Sequence, residues 1–187
     1  MRTVPVMALQ IPLLLWAVPF IVQYKRNRGR PAVVKAQAAR WGMLLQAIAF
    51  AVAWFHPQLA GAWGNFPAWR MVATLVFGAC ALAFAYSAVF TLGKHWRWDA
   101  ALIEDHELVQ SGPYALVRHP IYASVIAMLL ATGFAVSGWV QFAIAAVLVI
   151  AGTEIRVRAE ERLLANRFGP QFNAYRARVP AYVPFLR

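Results

Sequence analysis

The sequence has little cysteine and little charge, and both shortages restrict what it can be. Its single cysteine, Cys80, excludes an intrachain disulfide and a metal site built from cysteines alone. Because Cys80 stands inside an apolar run, we expect it to be a small buried packing residue. Charged residues make up 13% of the chain, against roughly 25% in soluble domains, which indicates a membrane protein.

Acidic residues are especially scarce, with 7 Asp and Glu against 18 Lys and Arg, giving a formal net charge of +11. Nucleic-acid-binding proteins place such a surplus on one soluble face. Here the basic residues lie in short segments between hydrophobic runs. This placement is typical of residues that set the topology of a membrane protein and contact anionic lipid headgroups. We therefore expect a membrane as partner and no nucleic acid, and no feature indicates an obligatory protein partner.

Several common catalytic and cofactor motifs are missing. The chain has no cluster of His and Cys with metal-ligand spacing, no Gly-x-Ser-x-Gly and no Gly-x-Gly-x-x-Gly. The sequence therefore predicts no metal site, and any cofactor pocket is not of the Rossmann type.

What the chain has in abundance is apolar sequence, since 61% of its residues are hydrophobic. A hydrocarbon core about 30 Å thick requires about 20 apolar helical residues. Apolar segments near this length, the second somewhat short, occupy residues 4–24, 41–55, 70–92, 120–136 and 139–155. We predict an all-α polytopic membrane protein with five transmembrane helices in a single domain, residues 1–187. From Glu154 onward the charged, helically spaced pattern predicts a cytoplasmic C-terminal amphipathic helix.

The distribution of basic residues predicts how these segments cross an inner membrane. The loop at 58–67 contains no charged residue and carries Trp63 and Phe66, which suits the outer interface. Of the 18 basic residues, all but Arg2 and Arg70 then fall on the cytoplasmic side. This arrangement places the N-terminus outside, the C-terminus in the cytoplasm, and segments 93–119 and 154–187 together at the cytoplasmic face.

Polar groups and turn formers concentrate in the stretch 108–122. Ser111 to Tyr114 is a turn signal, because Gly tolerates positive φ and Pro fixes its own φ. Arg118 and His119 follow, directly before Pro120 at the expected first position of a helix. Ionisable groups at a membrane entrance indicate a functional site, but an interfacial anchor for lipid headgroups would have the same composition.

A second group of charges lies on the helix after the fifth apolar segment. Arg156 and Glu160 are four residues apart and share one helix face, with Glu161 adjacent. Such pairs are also ordinary on solvated helices, where each contributes a few tenths of a kcal/mol. The residues alone leave both interpretations open.

The order of these elements resembles a known family. The stretch from His106 to Tyr122, followed by Arg156, Glu160-Glu161, Phe168-Gly169, Tyr175 and Arg178-Val179-Pro180, is similar to the isoprenylcysteine carboxyl methyltransferase family of integral membrane enzymes. The resemblance covers about the last 80 residues of the chain. One departure is Ser124, where many relatives have Gly, which places the shape of the cofactor slot in question.

The resemblance implies an S-adenosylmethionine-dependent methyltransferase. It implies that Arg156 and Glu160 are catalytic, with Arg156 near the reacting centre. The residues that it implies bind the cofactor are His106, Leu108, Val109, Gly112, Pro113, Tyr114, Arg118, His119, Pro120, Tyr122, Glu160 and Glu161.

The acceptor is not fixed by the resemblance. The first hypothesis is transfer to the carboxylate, or another nucleophile, of an isoprenoid-like or lipid substrate that enters from the bilayer. The alternative within enzymes is phospholipid amine N-methylation. The alternative from another class is a non-catalytic lipid-binding membrane protein or a small transporter.

Overall fold

The computed structural model describes residues 4–29, 31–55 and 67–182. Arg2 and the predicted outer loop, apart from Pro67, lie outside these ranges.

Most of the described chain is helical, which confirms the predicted class. The helices are α1 Val4–Asn27, α2 Ala39–Trp54, α3 Ala68–Leu92, α4 Pro120–Val136, α5 Trp139–Phe168 and α6 Pro170–Arg178. Short 3₁₀ turns at Gly93–His95 and Gly112–Ala115 lie between α3 and α4. Each of the predicted apolar segments therefore corresponds to one of the helices α1 to α5.

Within the described residues, three stretches are long and apolar enough to cross a membrane: Ala8–Asn27, Ala68–His95 and Trp139–Phe168. The helices α2 and α4 are apolar but have 16 and 17 residues. At a rise of about 1.5 Å per residue they measure about 24 and 26 Å, less than a hydrocarbon core of about 30 Å. The count of five spans and the orientation of the termini remain predictions.

The fifth apolar segment and the charged segment after it form one continuous helix, α5, instead of separate helices meeting near residue 155. No proline lies between Trp139 and Phe168, and Ala, Glu, Arg and Leu are good helix formers, so nothing interrupts the backbone. Gly169 ends α5 with φ +49°, a conformation that favours glycine, and Pro170 begins α6.

Small residues bring the helices close together. At the crossing of α2 and α5, a Cβ added to Gly42 would meet the carbonyl oxygen of Gly152, and one added to Gly152 would meet that of Gly42. In the bundle interior, Ala81 of α3 packs with Ala131 and Ala135 of α4. Such contacts are typical of membrane helices, whose association depends on close packing.

The prediction that Cys80 is buried is wrong, because its side chain is exposed. The buried face of α3 is formed by Gly78, Ala81, Ala85 and Ala88. Cys80 directly precedes Ala81, and successive residues of a helix point about 100° apart, so its side chain points away from that face. On a helix that crosses a membrane, the exposed face is apolar as well, so an apolar neighbourhood does not indicate burial.

A two-residue strand pair is the one non-helical element among the described residues that the sequence analysis missed. Strand β1, Val34–Lys35, pairs antiparallel with β2, Ala101–Leu102. Lys35 also forms a salt bridge of 3.0 Å with Asp99. The pair ties the loop between α1 and α2 to the segment that leads from α3 toward α4.

Candidate functional site

The turn before α4 is held between α3 and α6. Gly112 adopts φ +59°, and Pro113 continues the 3₁₀ turn that places Tyr114 inside the protein. The Tyr114 hydroxyl donates to the carbonyl of Ala88 at 3.4 Å, and the Tyr175 hydroxyl donates to the carbonyl of Tyr114 at 2.6 Å. Burial raises the pKa of Tyr175 to about 12, so this phenol stays a hydrogen-bond donor at neutral pH.

The C-terminal segment fixes the entry into α4. The backbone N–H groups of Arg118 and His119 donate to the carbonyls of Pro180 and Ala181, each at 2.8 Å. Pro120 then occupies the first helical position, where its missing N–H costs nothing. The orientation of the Arg118 and His119 side chains therefore depends on residues near the end of the described chain.

Arg118 forms a largely buried ion pair with Glu161. Its Nη2 and Nε lie 2.7 and 3.0 Å from Oε1 of Glu161, and its Nη1 donates to the carbonyls of Arg176 and Val179. With its fork directed at fixed acceptors, Arg118 connects α5, α6 and the C-terminal segment.

His119 lies between two carboxylates of α5. Its Nδ1 is 3.6 Å from Oε2 of Glu160, and its Nε2 is 3.3 Å from Oε1 of Glu161. Burial lowers the pKa of His119, but its hydrogen bonds to both carboxylates outweigh that effect and the net shift is upward. The ring of Tyr122 stacks on the imidazole at a centroid distance of 5.6 Å.

Tyr122 links α4 to the charged part of α5. Its hydroxyl donates to Oε1 of Glu160 and accepts a hydrogen bond from Nε of Arg156 at 3.0 Å. The Arg156 guanidinium also lies over the Tyr122 ring, 5.1 Å from its centroid, and Nη2 donates to the carbonyl of Trp98 at 3.1 Å. The turn before α4 and the charged helix therefore meet directly.

These side chains line one end of a cavity of about 910 Å³. The rest of the lining, here called the apolar end, is largely apolar and includes Trp16 of α1, Met43 and Phe50 of α2, and Val125 of α4. A charged end and an apolar end in one cavity suit an amphipathic ligand, and the volume lies at the upper end of the range, about 300–1,000 Å³, that small-molecule sites occupy.

The structure brings most of the predicted site residues to this cavity. Those that line it are His106, Leu108, Val109, Tyr114, Arg118, His119, Tyr122, Arg156 and Glu160. Gly112, Pro113, Pro120 and Glu161 do not line it. Gly112 and Pro113 form part of the turn, Pro120 begins α4, and Glu161 pairs with Arg118 and His119. The roles assigned to all of these residues remain predictions.

His106 presents a polar atom that lacks a partner among the described residues. Its Nδ1 is buried and has no hydrogen bond there, and the residue lines the cavity. Burial and the neighbouring His95, whose ring centroid is 5.0 Å away, lower the pKa of His106 to about 4. The imidazole is therefore neutral at pH 7, and it can accept a hydrogen bond from a ligand or donate one to it.

Ser124, the departure from the family pattern, is buried near the cavity. Its hydroxyl donates to the carbonyl of Ile121 at 2.6 Å and accepts from Nε1 of Trp16 at 3.2 Å. The hydroxyl thus joins α4 to the Trp16 side chain, which lines the apolar end.

Sequence reasoning missed many lining residues, in both halves of the chain. They include Trp16, Phe20, Arg40, Met43, Gln46 and Phe50 from the first half, and Trp96 and Trp98 from the segment after α3. Gln46 had a signal that could have identified it, since it is the one polar residue of the second apolar segment, 41–55.

Comparison with known proteins agrees with the geometry. Residues 71–166 match the model of the isoprenylcysteine carboxyl methyltransferase (ICMT) family. The chain belongs to this family. The ICMT match includes the turn, the start of α4 and the charged part of α5, so it covers most of the residues that meet at the charged end of the cavity.

Relatives of the chain carry different names. It is 32% identical over 143 residues to the cobalt-zinc-cadmium resistance protein CzcN of Cupriavidus metallidurans, covering 63% of this chain and 62% of that protein. It is 28% identical over 149 residues to the nickel-cobalt-cadmium resistance protein NccN of Alcaligenes xylosoxydans xylosoxydans, covering 78% and 63%. The protein-S-isoprenylcysteine O-methyltransferase of Schizosaccharomyces pombe is 31% identical over 83 residues, covering 44% and 35%. The matches thus span less than two thirds of these relatives.

Proposed function

We propose that this ICMT-family protein is an S-adenosylmethionine-dependent methyltransferase of the inner membrane. In this proposal it methylates the carboxylate of an isoprenoid-like or lipid substrate that enters from the bilayer. One observation carries the proposal: the linked side chains of His119, Glu160, Tyr122 and Arg156 form the charged end of a cavity that is otherwise largely apolar.

The residues at the charged end fit the methyl donor. A bound S-adenosylmethionine would supply a methyl group activated by its sulfonium. Glu160 can accept hydrogen bonds from ribose hydroxyls or attract the positive sulfur, and the Tyr122 ring offers an aromatic face to a cation. The buried Nδ1 of His106, which has no hydrogen-bond partner in the described part of the chain, supports the fit, because a polar ligand atom would remove the cost of leaving it unpaired. Arg118 or backbone N–H groups of the turn can bind the donor's carboxylate.

Arg156 favours a carboxylate acceptor over an amine. Its guanidinium lines the cavity beside Tyr122, where it can bind a carboxylate through two parallel hydrogen bonds. A carboxylate also needs no base, because it is already ionised at neutral pH. An amine must first lose a proton and would be repelled by the same guanidinium. Phospholipid N-methylation is for this reason the less favoured alternative.

The orientation follows from the basic residues and forms part of the proposal. With the N-terminus outside and the C-terminus in the cytoplasm, the charged end of the cavity faces the cytoplasm, where S-adenosylmethionine is dissolved. The apolar end then lies at the depth of the acyl chains, so the two reactants approach from different phases. No metal, nucleic acid or protein partner is required for this chemistry.

Binding of the product S-adenosylhomocysteine to the purified protein tests the cofactor assignment. We expect calorimetry to give saturable binding that Glu160→Ala weakens at least about thirtyfold, since truncating one member of a buried charged group typically costs about 2–5 kcal/mol. His119→Ala should weaken it as well. Glu104→Gln, which removes an exposed carboxylate, is the matched control and should bind like the wild type. Absence of binding in the wild type, or equal binding by all variants, would refute the proposal.

The acceptor requires a second experiment. Methyl transfer to S-prenylcysteine and to phosphatidylethanolamine should be compared in the same vesicles, and we expect the carboxylate to be methylated. Methylation of the amine alone would establish the N-methyltransferase alternative. Flux of a lipid or solute into proteoliposomes without methyl transfer would instead favour a transporter.

A further inference from the structure

A second, smaller cavity lies at the C-terminal end of α1. Its volume is about 160 Å³, and it is lined by Tyr24, Asn27, Arg28 and Gly29 and by residues 96–99 of the segment after α3. This volume is well below the range of about 300–1,000 Å³ that small-molecule sites occupy, so the small cavity admits one compact group and not a whole nucleoside or lipid. Residues 96–99 also line the cavity of about 910 Å³, the large cavity, and are therefore a wall shared by both.

Side-chain amides connect the end of α1 to the segment that carries the shared wall. Nδ2 of Asn27 donates to the carbonyls of Gly93 and Trp96 at 3.0 and 2.8 Å, and Nε2 of Gln23 donates to the carbonyl of Gly93 at 2.7 Å. A primary amide has two N–H donors, and Asn27 thus uses both within the protein. Asn27 positions the small cavity and leaves the binding of a ligand to other side chains.

The charges at the small cavity favour an anion. Arg28 of α1 and Arg97 of the shared wall both line it. Asp99 lines it as well, but its carboxylate forms a salt bridge of 3.0 Å with Lys35, so its charge is balanced within the protein. Guanidinium groups bind phosphate oxygens through directed, charge-assisted hydrogen bonds. A phosphate group therefore suits both the size and the charge of the small cavity.

The small cavity lies where lipid headgroups are expected. Ala8–Asn27 is long and apolar enough to cross a membrane, so the residues at its end lie at a membrane interface. Lys25 and Arg26 occupy the last turn of α1, and basic clusters in this position attract anionic lipids. Tyr24 and Trp98 each expose 57% of their surface, as aromatic residues at the interface commonly do. The lipid phosphates are thus the nearest source of the group.

We propose that the small cavity binds a phosphate group through Arg28 and Arg97, and that the headgroup of an anionic phospholipid supplies it. The acyl chains stay in the bilayer, since the small cavity has room for the phosphate alone. The bound phosphate holds the shared wall in place. Because the carbonyl of Trp98 accepts a hydrogen bond from Arg156 at 3.1 Å, this lipid stabilises one contact at the charged end of the large cavity.

Calorimetry on the purified full chain in an uncharged detergent tests the site. The probes are dihexanoyl phosphatidylglycerol, dihexanoylglycerol, which lacks the phosphate, and inorganic phosphate. We expect phosphatidylglycerol to bind most tightly and Arg28→Gln to weaken its binding about tenfold, as loss of a hydrogen bond to a charged group does. Arg26→Gln is the matched control, because it removes the same charge from the same end of α1 at a residue that lines neither cavity. It should change the affinity less than about twofold.

The outcomes separate a site from general attraction to the basic segment. Equal weakening by Arg26→Gln and Arg28→Gln overturns the proposal, as does equal binding of the lipids with and without phosphate, or no binding of phosphatidylglycerol. Inorganic phosphate that binds as tightly as phosphatidylglycerol, and is lost in Arg28→Gln, supports the phosphate site but overturns its lipid source.

Hydrogen exchange tests the link to the shared wall. Phosphatidylglycerol should slow exchange of the backbone amides of residues 96–99 in the wild type and much less in Arg28→Gln, because a bound ligand opposes local opening. Unchanged exchange in a wild type that binds the lipid would overturn this link. Neither measurement requires methyl transfer, so a failure of the proposed function would leave both results interpretable.

Discussion

The two ends of α4 each hold an arginine beside an aromatic ring, but the partners of the two guanidinium groups differ in kind. Arg70 donates to the carbonyls of Gly133, Phe134 and Ser137 at 2.8–3.2 Å and lies over the ring of Trp139. These carbonyls belong to the C-terminal end of α4, where acceptors lack partners within the helix. Arg70 thus completes a helix end.

Arg156 of α5 lies beside the start of α4 and donates both to a backbone carbonyl, that of Trp98, and to a side chain, the Tyr122 hydroxyl. Its neighbours Tyr122 and Glu160 carry groups that can exchange hydrogen bonds with a ligand, and all three side chains line the large cavity. A guanidinium held by fixed backbone acceptors mainly stabilises the fold, whereas one beside ionisable side chains and open volume is available for binding. The residue type alone does not distinguish these uses, so substitutions at both sites provide the comparison.

Replacing Arg156 should give the largest effect. We expect Arg156→Met to lower kcat/KM for a carboxylate acceptor at least about hundredfold, because the acceptor's charge then enters a cavity without its partner. The affinity for S-adenosylhomocysteine should change less than about threefold, since we place Arg156 at the acceptor and not at the cofactor. Calorimetry and methyl-transfer kinetics on the same preparation separate the two quantities. A parallel loss of both would show that Arg156 supports the whole charged end.

Replacing Arg70 should affect stability instead. Arg70→Met removes donors from three carbonyls at the end of α4, and we expect the free energy of unfolding to fall by about 2–3 kcal/mol. Thermal unfolding in detergent measures this change. The kcat/KM of the folded fraction should stay within about twofold of the wild type. Arg158→Met, which breaks only an exposed pair with Glu154, is the matched control and should cost well below 1 kcal/mol. A large kinetic defect in Arg70→Met would contradict the assignment of Arg70 to stability and of Arg156 to binding.

The sequence allowed the N-terminal end of α4 to be predicted better than the residues around it. Pro120 marks the start of the helix, and the four-residue spacing of Arg156 and Glu160 places both on one face of α5. Spacing along one helix does not reveal which other helix it meets. That Tyr122 and Glu160 belong to one site was therefore expected only from the resemblance, and the structure brings those side chains together.

Other features could not be derived because the signals that would indicate them are weak or absent in the sequence. The exposed face of α3 is apolar like its buried face, so no periodicity indicated that Cys80 is exposed. Trp98 reaches Arg156 from an irregular segment, through a backbone carbonyl that every residue has. The pairing of β1 with β2 involves two residues on each strand, too few for an alternating pattern.

The smallest expected effect concerns pH and compares two histidines of the cavity. The carboxylates of Glu160 and Glu161 raise the pKa of His119 above its ordinary value of about 6.5. Its contribution to stability is therefore fully present below pH about 6.5 and is lost as the pH rises through the raised pKa. The pKa of His106 is lowered to about 4, so its contribution is present above pH about 6.5 and declines as the pH falls toward 4.

Measurements above pH about 6.5 consequently isolate His119 from His106. We expect thermal unfolding of the wild type and of His119→Gln to differ most near neutral pH and to converge as the medium becomes alkaline, because the wild-type imidazolium loses its proton. His106→Gln should instead keep a constant difference from the wild type over the same range. A constant difference for His119→Gln would mean that His119 is already neutral at pH 7. The neutral imidazole has one N–H and would then donate to only one of Glu160 and Glu161, and the carboxylates alone would attract a cationic methyl donor.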